Sequence, residues 1–186
     1  MNIALLGYGT VGGGVYELLK DRQDITVKYV LDKAPIPELG ERSVTDFSVI
    51  LQDGEVDTVV EVMGGSEPAL QYLTGAMHAG KNIVTANKQL LAEHYDTVTS
   101  VAKETGVGFR SSAAVGGGIP WLPNLQRQKR LGQIAEVCGI MNGTTNYILD
   151  VMHKKGYDYD SVLQDAQRLG YAEADPTADI EGMDVR

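Results

Sequence analysis

The run Gly7-Tyr8-Gly9-Thr10-Val11-Gly12 constrains this chain more than any other stretch, because it stands directly between an apolar segment and an amphipathic one. Ile3-Ala4-Leu5-Leu6 precedes it and residues 11–20 follow, which reads as strand, tight turn and helix. In that setting the first glycine permits a sharp turn, the second lets backbone approach a pyrophosphate, and the third lets helix pack on strand. The helix start adds free N–H groups and a partial positive charge. Glycine is common here, at 22 residues, so the spacing alone decides nothing. Position decides: a second apolar run, residues 25–31, ends in Asp32, twenty residues after Gly12, where an acid contacting an adenosine ribose belongs. Gly7, Gly9, Thr10, Val11, Gly12 and Asp32 are therefore expected to hold a dinucleotide, joined by Met63 and Gly64 at the end of a later strand. Asp32 favours NAD, while Lys33 beside it can meet a 2′-phosphate and so NADP.

The chain continues in the same grammar. Residues 33–43 carry Pro35, Pro37 and Gly40 and read as a surface loop, followed by a short helix over 46–51. Residues 56–63 form a β-branched run bounded by glycines, a buried parallel strand. Ser66 is expected to cap a helix with Pro68 in its first turn and Gly80 as its stop. A strand over 82–85, a long helix over 87–105 and a strand over 107–110 complete five strands alternating with helices. Such alternation means a doubly wound α/β parallel sheet, the Rossmann class, with right-handed crossovers. Near Ser111 the pattern changes to a glycine-rich turn, a helix led by Pro120, a strand-like run over 134–141, and helices over 142–155 and 160–169. The expected division is a dinucleotide-binding domain, 1–112, and part of a smaller α+β substrate domain, 113–186.

Composition narrows the partners. A net charge of −9 opposes binding to nucleic acid or an anionic membrane, and the short basic patch over 126–130 reads as a solvated helix face. One cysteine, Cys138, forms no internal disulfide, and no apolar run is long enough to span a bilayer, so a cytoplasmic setting is expected. Cys138 falls in an apolar run and is expected to be buried. His78, His94 and His153 show no metal spacing.

Two features invite chemistry. Lys88 follows the fourth strand at its carboxyl end, the edge that faces the ligand crevice in an open α/β sheet, so it can reach a nicotinamide or a substrate carbonyl. Further on, Asp165, Glu173, Asp175, Asp179, Glu181 and Asp184 face a single base, Arg168, across twenty residues. So much like charge needs a cation or full solvation. A calcium loop starting at Asp175 fails, because Ile180 and Arg186 occupy the positions that require glycine and glutamate. A solvated acidic loop and a pocket for a small ammonium-bearing substrate remain.

Residues 142–149 (Asn-Gly-Thr-Thr-Asn-Tyr-Ile-Leu), 166–176 (Ala-Gln-Arg-Leu-Gly-Tyr-Ala-Glu-Ala-Asp-Pro) and 179–184 (Asp-Ile-Glu-Gly-Met-Asp) resemble those of homoserine dehydrogenases. The glycine loop, Asn87-Lys88 and Gly116-Gly117-Gly118-Ile119-Pro120 resemble the same family in the same order. That resemblance implies NAD(P)-dependent interconversion of L-homoserine and L-aspartate 4-semialdehyde, on the route to threonine, isoleucine and methionine, in a homo-oligomer. It implies that Glu173, Asp179 and Asp184 bind the substrate amino and hydroxyl ends, with Tyr171 and the backbone of Gly143 and Thr144 near its carboxylate. Lys88 and Asp184 are the catalytic residues it implies within the chain. It also implies a monovalent cation, sodium or potassium, on the carbonyls of Val115, Gly117 and Ile119, although Ser112 stands where the family usually carries a glutamate. The family's proton-donating lysine, which Lys88 would assist, falls four residues after the aspartate matching Asp184, beyond Arg186, which implies a shortened form of a longer enzyme that binds cofactor and turns over poorly. Two alternatives stay open: another semialdehyde or amino-acid dehydrogenase with the same first domain, and a nucleotide-binding module that senses redox state without turnover.

Overall fold

In the computed structural model, which describes residues 1–140 and 142–172, the chain separates into two compact units, Met1–Ile119 and Pro120–Arg186. The first unit alternates strand and helix: β1 (Asn2–Leu6), α1 (Thr10–Leu19), β2 (Thr26–Leu31), a 3-10 turn (Pro37–Arg42), β3 (Ser43–Val44), α2 (Phe47–Gln52), β4 (Thr58–Glu61), α3 (Ala69–His78), β5 (Asn82–Thr85), α4 (Lys88–Thr105) and β6 (Phe109–Arg110). All neighbouring strands pair in parallel, in the order β3-β2-β1-β4-β5-β6. This is the doubly wound order, with the chain reversing direction across the sheet between β1 and β4.

Parallel strands need crossover connections, so helices cover both faces and strands are apolar on both sides. β1 shows this directly. Ile3 and Leu5 join Tyr16, Val27, Val30 and Leu39 in one buried cluster, while Ala4 and Leu6 join Ile50, Val59, Leu73, Met77 and Ile83 in another. Each fully buried leucine stabilises the sheet by about 1.5–3 kcal/mol, which makes β1 the register-setting strand.

Five of the six strands fall where the sequence predicts them. β3, inside the expected 33–43 loop and its exit, is the addition: two residues that pair with Val30 and Leu31 of β2 at the sheet edge. Residues 107 and 108 stay outside β6, because the Asn82 side chain takes the Gly108 N–H at 2.8 Å while the Gly108 carbonyl still accepts from Ile83. Ser66 does not cap α3. Pro68 is the capping residue, without a side-chain bond, and the Ser66 hydroxyl donates instead to Glu93.

The second unit contains α5 (Trp121–Leu131), α6 (Gly143–Lys155) and α7 (Tyr159–Arg168). α6 and α7 pack through Ile148, Val151, Val162 and Ala166, joined by Ala172. Asn142 and Asp158 cap them, accepting from Thr145 N–H at 2.8 Å and Ser161 N–H at 3.0 Å. The strand expected over 134–141 is absent from 134–140, and Met141 lies outside the described residues. A strand exists only when its backbone groups pair with another, and the described residues of this unit hold no partner strand. Cys138, expected to be buried in that strand, is exposed.

Candidate functional site: a glycine-walled crevice at the carboxyl edge of the sheet

The turn from β1 into α1 is shaped by what its glycines lack. Gly7 adopts φ +97°, a left-handed conformation, and a β-carbon on it would lie 3.0 Å from the Val62 carbonyl oxygen. A β-carbon on Gly12 would lie 2.0 Å from the Gly7 carbonyl oxygen, so only glycine lets α1 approach the turn this closely. At Gly9, by contrast, a β-carbon would meet nothing within 4 Å. The chain is thus closed behind Gly7 and Gly12 and open in front of Gly9. Gly9 is also the N-cap of α1 and makes no side-chain cap bond, so the first N–H groups of the helix, those of Thr10, Val11 and Gly12, lack intrahelical partners. Open space, free donors and the positive end of a helix dipole together suit a phosphate.

A cavity of about 410 Å³ opens at this point. Gly7, Tyr8 and Gly9 form one wall, Leu31, Asp32 and Lys33 a second, and Val62, Met63 and Gly64 a third, with Thr45, Glu67, Pro68 and Tyr72 closing the far end. The Asp32 carboxylate accepts from the Tyr8 N–H at 2.8 Å and from the Lys33 N–H at 2.6 Å, which fixes it between the glycine turn and the end of β2. Tyr8 is half-buried against Tyr16, their rings edge to face at 5.8 Å, and burial raises its phenol above the ordinary value. The ring walls the crevice without ionising.

Six of the residues predicted from the sequence, Gly7, Gly9, Asp32, Lys33, Met63 and Gly64, line this cavity. Thr10, Val11 and Gly12 begin the helix beside it. Lys88 is outside the lining, exposed at the first position of α4, three residues beyond the end of β5 on the same carboxyl edge. Thr45, Glu67, Pro68 and Tyr72 were not predicted. Tyr72 stacks on Phe47 with ring centroids 4.3 Å apart, a contact across α2 and α3 that no local sequence pattern signals.

In the second unit the structure brings together three of the predicted substrate residues. Gly143 and Thr144 open α6, and the Thr144 hydroxyl donates to the Tyr171 carbonyl, while the Tyr171 ring stacks on Tyr147 at 4.8 Å. Glu173, Asp179 and Asp184 lie outside the described residues. Val115, Gly117 and Ile119 lie in a turn where Gly116 and Gly117 take positive φ and the Ile119 N–H donates to the Gly116 carbonyl. Among the described residues no cluster of three acidic, histidine or cysteine side chains is arranged to hold a metal ion, and no helix is long and apolar enough to cross a membrane.

Comparison with known proteins adds to this geometry. Residues 7–111 match the family model described as homoserine dehydrogenase, NAD binding domain, and residues 120–186 match the model described as homoserine dehydrogenase. The homoserine dehydrogenase of Bacillus subtilis is 41% identical over 201 residues, covering 100% of this chain and 46% of its own length. That of Synechocystis sp. is 44% identical over 197 residues with the same coverage. A crystal structure of a homoserine dehydrogenase from Thiobacillus denitrificans superposes with a TM-score of 0.85 at 39% identity, covering 99% of this chain and 46% of that one. The chain spans about half the length of the relatives it matches.

Proposed function

The chain belongs to the homoserine dehydrogenase family, and from that premise we propose that it seats NAD(P) in the glycine-walled crevice and serves the interconversion of L-homoserine and L-aspartate 4-semialdehyde. The observation that carries the cofactor half is the contrast between Gly12, closed to any side chain, and Gly9, open to a ligand, beside the fixed carboxylate of Asp32. Gly9, Thr10, Val11 and Gly12 would hold the pyrophosphate, Asp32 the adenosine ribose, and Met63 and Gly64 the opposite wall. Lys33 gives NADP a contact for its 2′-phosphate, so the reading is dual use with a lean to NAD.

When bound, the nicotinamide supplies or takes the hydride. The chain's own residues do the rest. In the direction of reduction an alkoxide develops where the aldehyde oxygen stood and an ammonium group supplies its proton; Lys88 is assigned to assist that transfer beside the nicotinamide, the main donor being the lysine that the family carries four residues after the aspartate matching Asp184. Glu173, Asp179 and Asp184 are assigned to the substrate amino and hydroxyl ends, Asp184 also to catalysis, and Tyr171 with the Gly143 and Thr144 backbone to its carboxylate. A monovalent cation on the Val115, Gly117 and Ile119 carbonyls would meet three neutral donors, with the Ser112 hydroxyl in place of a carboxylate, and no step is assigned to it. A reducing cytoplasm suits the single exposed cysteine, the net charge of −9 disfavours nucleic acid and anionic membrane, and the exposed Leu131, Val137 and Ile140 suit a homo-oligomer.

Titrating the chain with NADH and NADPH by fluorescence tests the crevice. Both should bind, and NADPH binding more than about tenfold tighter than NADH, a difference of about 1.4 kcal/mol, would overturn the lean. Homoserine-dependent reduction of NAD(P), measured on a protein carrying these residues within the full span of its relatives, tests the reaction. Binding without any such reduction would leave the redox-sensing alternative standing.

A further inference from the structure

Glu61 is a fully buried carboxylate, 0% exposed, at the carboxyl end of β4, outside the residues assigned to cofactor and substrate. A carboxylate removed from water is costly unless its oxygens are hydrogen-bonded, and packing alone would be served there by an apolar side chain. Among the described residues, the donors to its side chain come from the sheet's carboxyl edge. The Met63 N–H at 2.9 Å and the Asn87 side-chain amide at 3.1 Å both donate to Oε1, and the Thr85 hydroxyl donates to Oε2 at 2.5 Å. Asn87 extends the connection. Its Nδ2 also donates to the Gly65 carbonyl at 2.7 Å, and its Oδ1 caps α4 by accepting from the Leu90 N–H at 3.0 Å. One turn further along the same helix, Glu93 takes the Ser66 hydroxyl and the Gln89 amide. Residues 63–66, of which Met63 and Gly64 line the cavity, are thus fastened to α4 at two heights, and the inner fastening passes through Glu61 Oε1.

We infer that Glu61 is a positioning residue: its carboxylate holds the Met63–Gly64 wall of the crevice against the first turn of α4, where Lys88 stands, and so sets the width of the dinucleotide seat. The inference rests on the dinucleotide reading of the crevice. It makes Oε1 the oxygen that matters, because two of the three bonds converge on it. Glutamine can keep an oxygen in that place and turn its amide toward the Thr85 hydroxyl, which can accept. Leucine cannot. Asn87→Asp keeps the cap on α4 but sets a carboxylate oxygen against Glu61 Oε1 and the Gly65 carbonyl, replacing two attractions with two repulsions.

The test is NADH binding to the 186-residue chain, by fluorescence, at a temperature where circular dichroism shows each variant folded. Glu61→Leu and Asn87→Asp should each raise Kd by about tenfold or more, the order expected when buried hydrogen bonds are lost. Glu61→Gln should stay within about threefold of wild type. A merely structural role would lower the melting temperature of these variants and leave Kd on the folded protein unchanged, so wild-type affinity in Asn87→Asp overturns the inference. A loss in Glu61→Gln as large as in Asn87→Asp overturns it as well, since Oε1 would then not be the working atom. If Glu61→Leu does not fold, the other two variants decide. Wild-type chain that binds neither NADH nor NADPH would instead sink the crevice reading itself.

Discussion

At Gly12 a β-carbon would lie 2.0 Å from the Gly7 carbonyl oxygen and at Gly9 it would meet nothing within 4 Å, so substitutions at the two glycines should fail in opposite ways. Gly12→Ala adds a good helix former, which in an open helix gains about 0.5–1 kcal/mol. Here the methyl group strikes backbone that cannot step aside, and overpacking of this kind costs roughly 1–3 kcal/mol or more. Urea unfolding of Gly12→Ala should therefore show a lower midpoint than wild type, and a higher one would mean that α1 does not approach the turn as described. Gly9 sits in extended backbone, φ −75° and ψ −159°, which any residue adopts, and asparagine is a good N-cap. Gly9→Asn should keep its stability within about 0.5 kcal/mol and lose detectable NADH and NADPH binding, because its side chain fills the phosphate's place. Retained binding in Gly9→Asn would move the phosphate site away from the N-terminus of α1.

Between elements, a second polar joint in the first unit lies at the edge of the sheet opposite the crevice. Lys28 of β2 sits 2.6 Å from the Asp53 carboxylate, which follows α2, and 2.7 Å from Glu55, while the Tyr29 hydroxyl donates to Asp53 at 2.9 Å. The Lys28 ammonium, then the Glu55 N–H and the Tyr29 hydroxyl, hold the Asp53 carboxyl down to about 2. A carboxyl depressed in the folded state adds stability that is fully present above its unfolded value near 4 and is lost as pH falls toward the folded one. Urea midpoints should therefore drop between about pH 4 and pH 2 in wild type and drop less in Asp53→Asn. Equal slopes would show that the pair at this edge is too solvated to matter.

β1, β2, β4 and β5 were legible because each is an apolar run closed by turn residues, and burial on both faces leaves no other use for such a run. β3 was not, since two residues show no periodicity and Ser43–Val44 owes its state to β2 beside it. The run over 134–140 is apolar too, yet it lacks a pairing partner among the described residues and is no strand, because β propensity is fitness for a sheet and not a backbone preference. In the site, Gly7, Gly9, Gly12 and Asp32 could be found from spacing, because close backbone approach leaves a trace in residue type. Tyr72 and Thr45 could not, being brought to the crevice by helix packing and by an edge strand. Glu61 does leave a signal in the sequence: an acid flanked on both sides by valines inside a β-branched run.

Among the described residues of the whole molecule, each buried cluster draws its members from one unit. The described members of the two clusters on the faces of the sheet end at Phe109, and those of the third run from Tyr147 to Ala172. Among the described residues, those lining the crevice and those in the Glu61 network all lie before Ile119. A fragment of residues 1–119 therefore keeps all six paired strands, the helices on both faces and the full lining of the cavity. Such a fragment should fold cooperatively and bind NADH with a Kd within about twofold of the 186-residue chain, the scatter expected of parts that share no partners. Circular dichroism melts and fluorescence titrations on the two proteins, side by side, measure this. A fragment that folds but binds more than tenfold more weakly would show that residues 120–186 reach the dinucleotide. A fragment that fails to fold would show that the sheet depends on residues outside its own two cores.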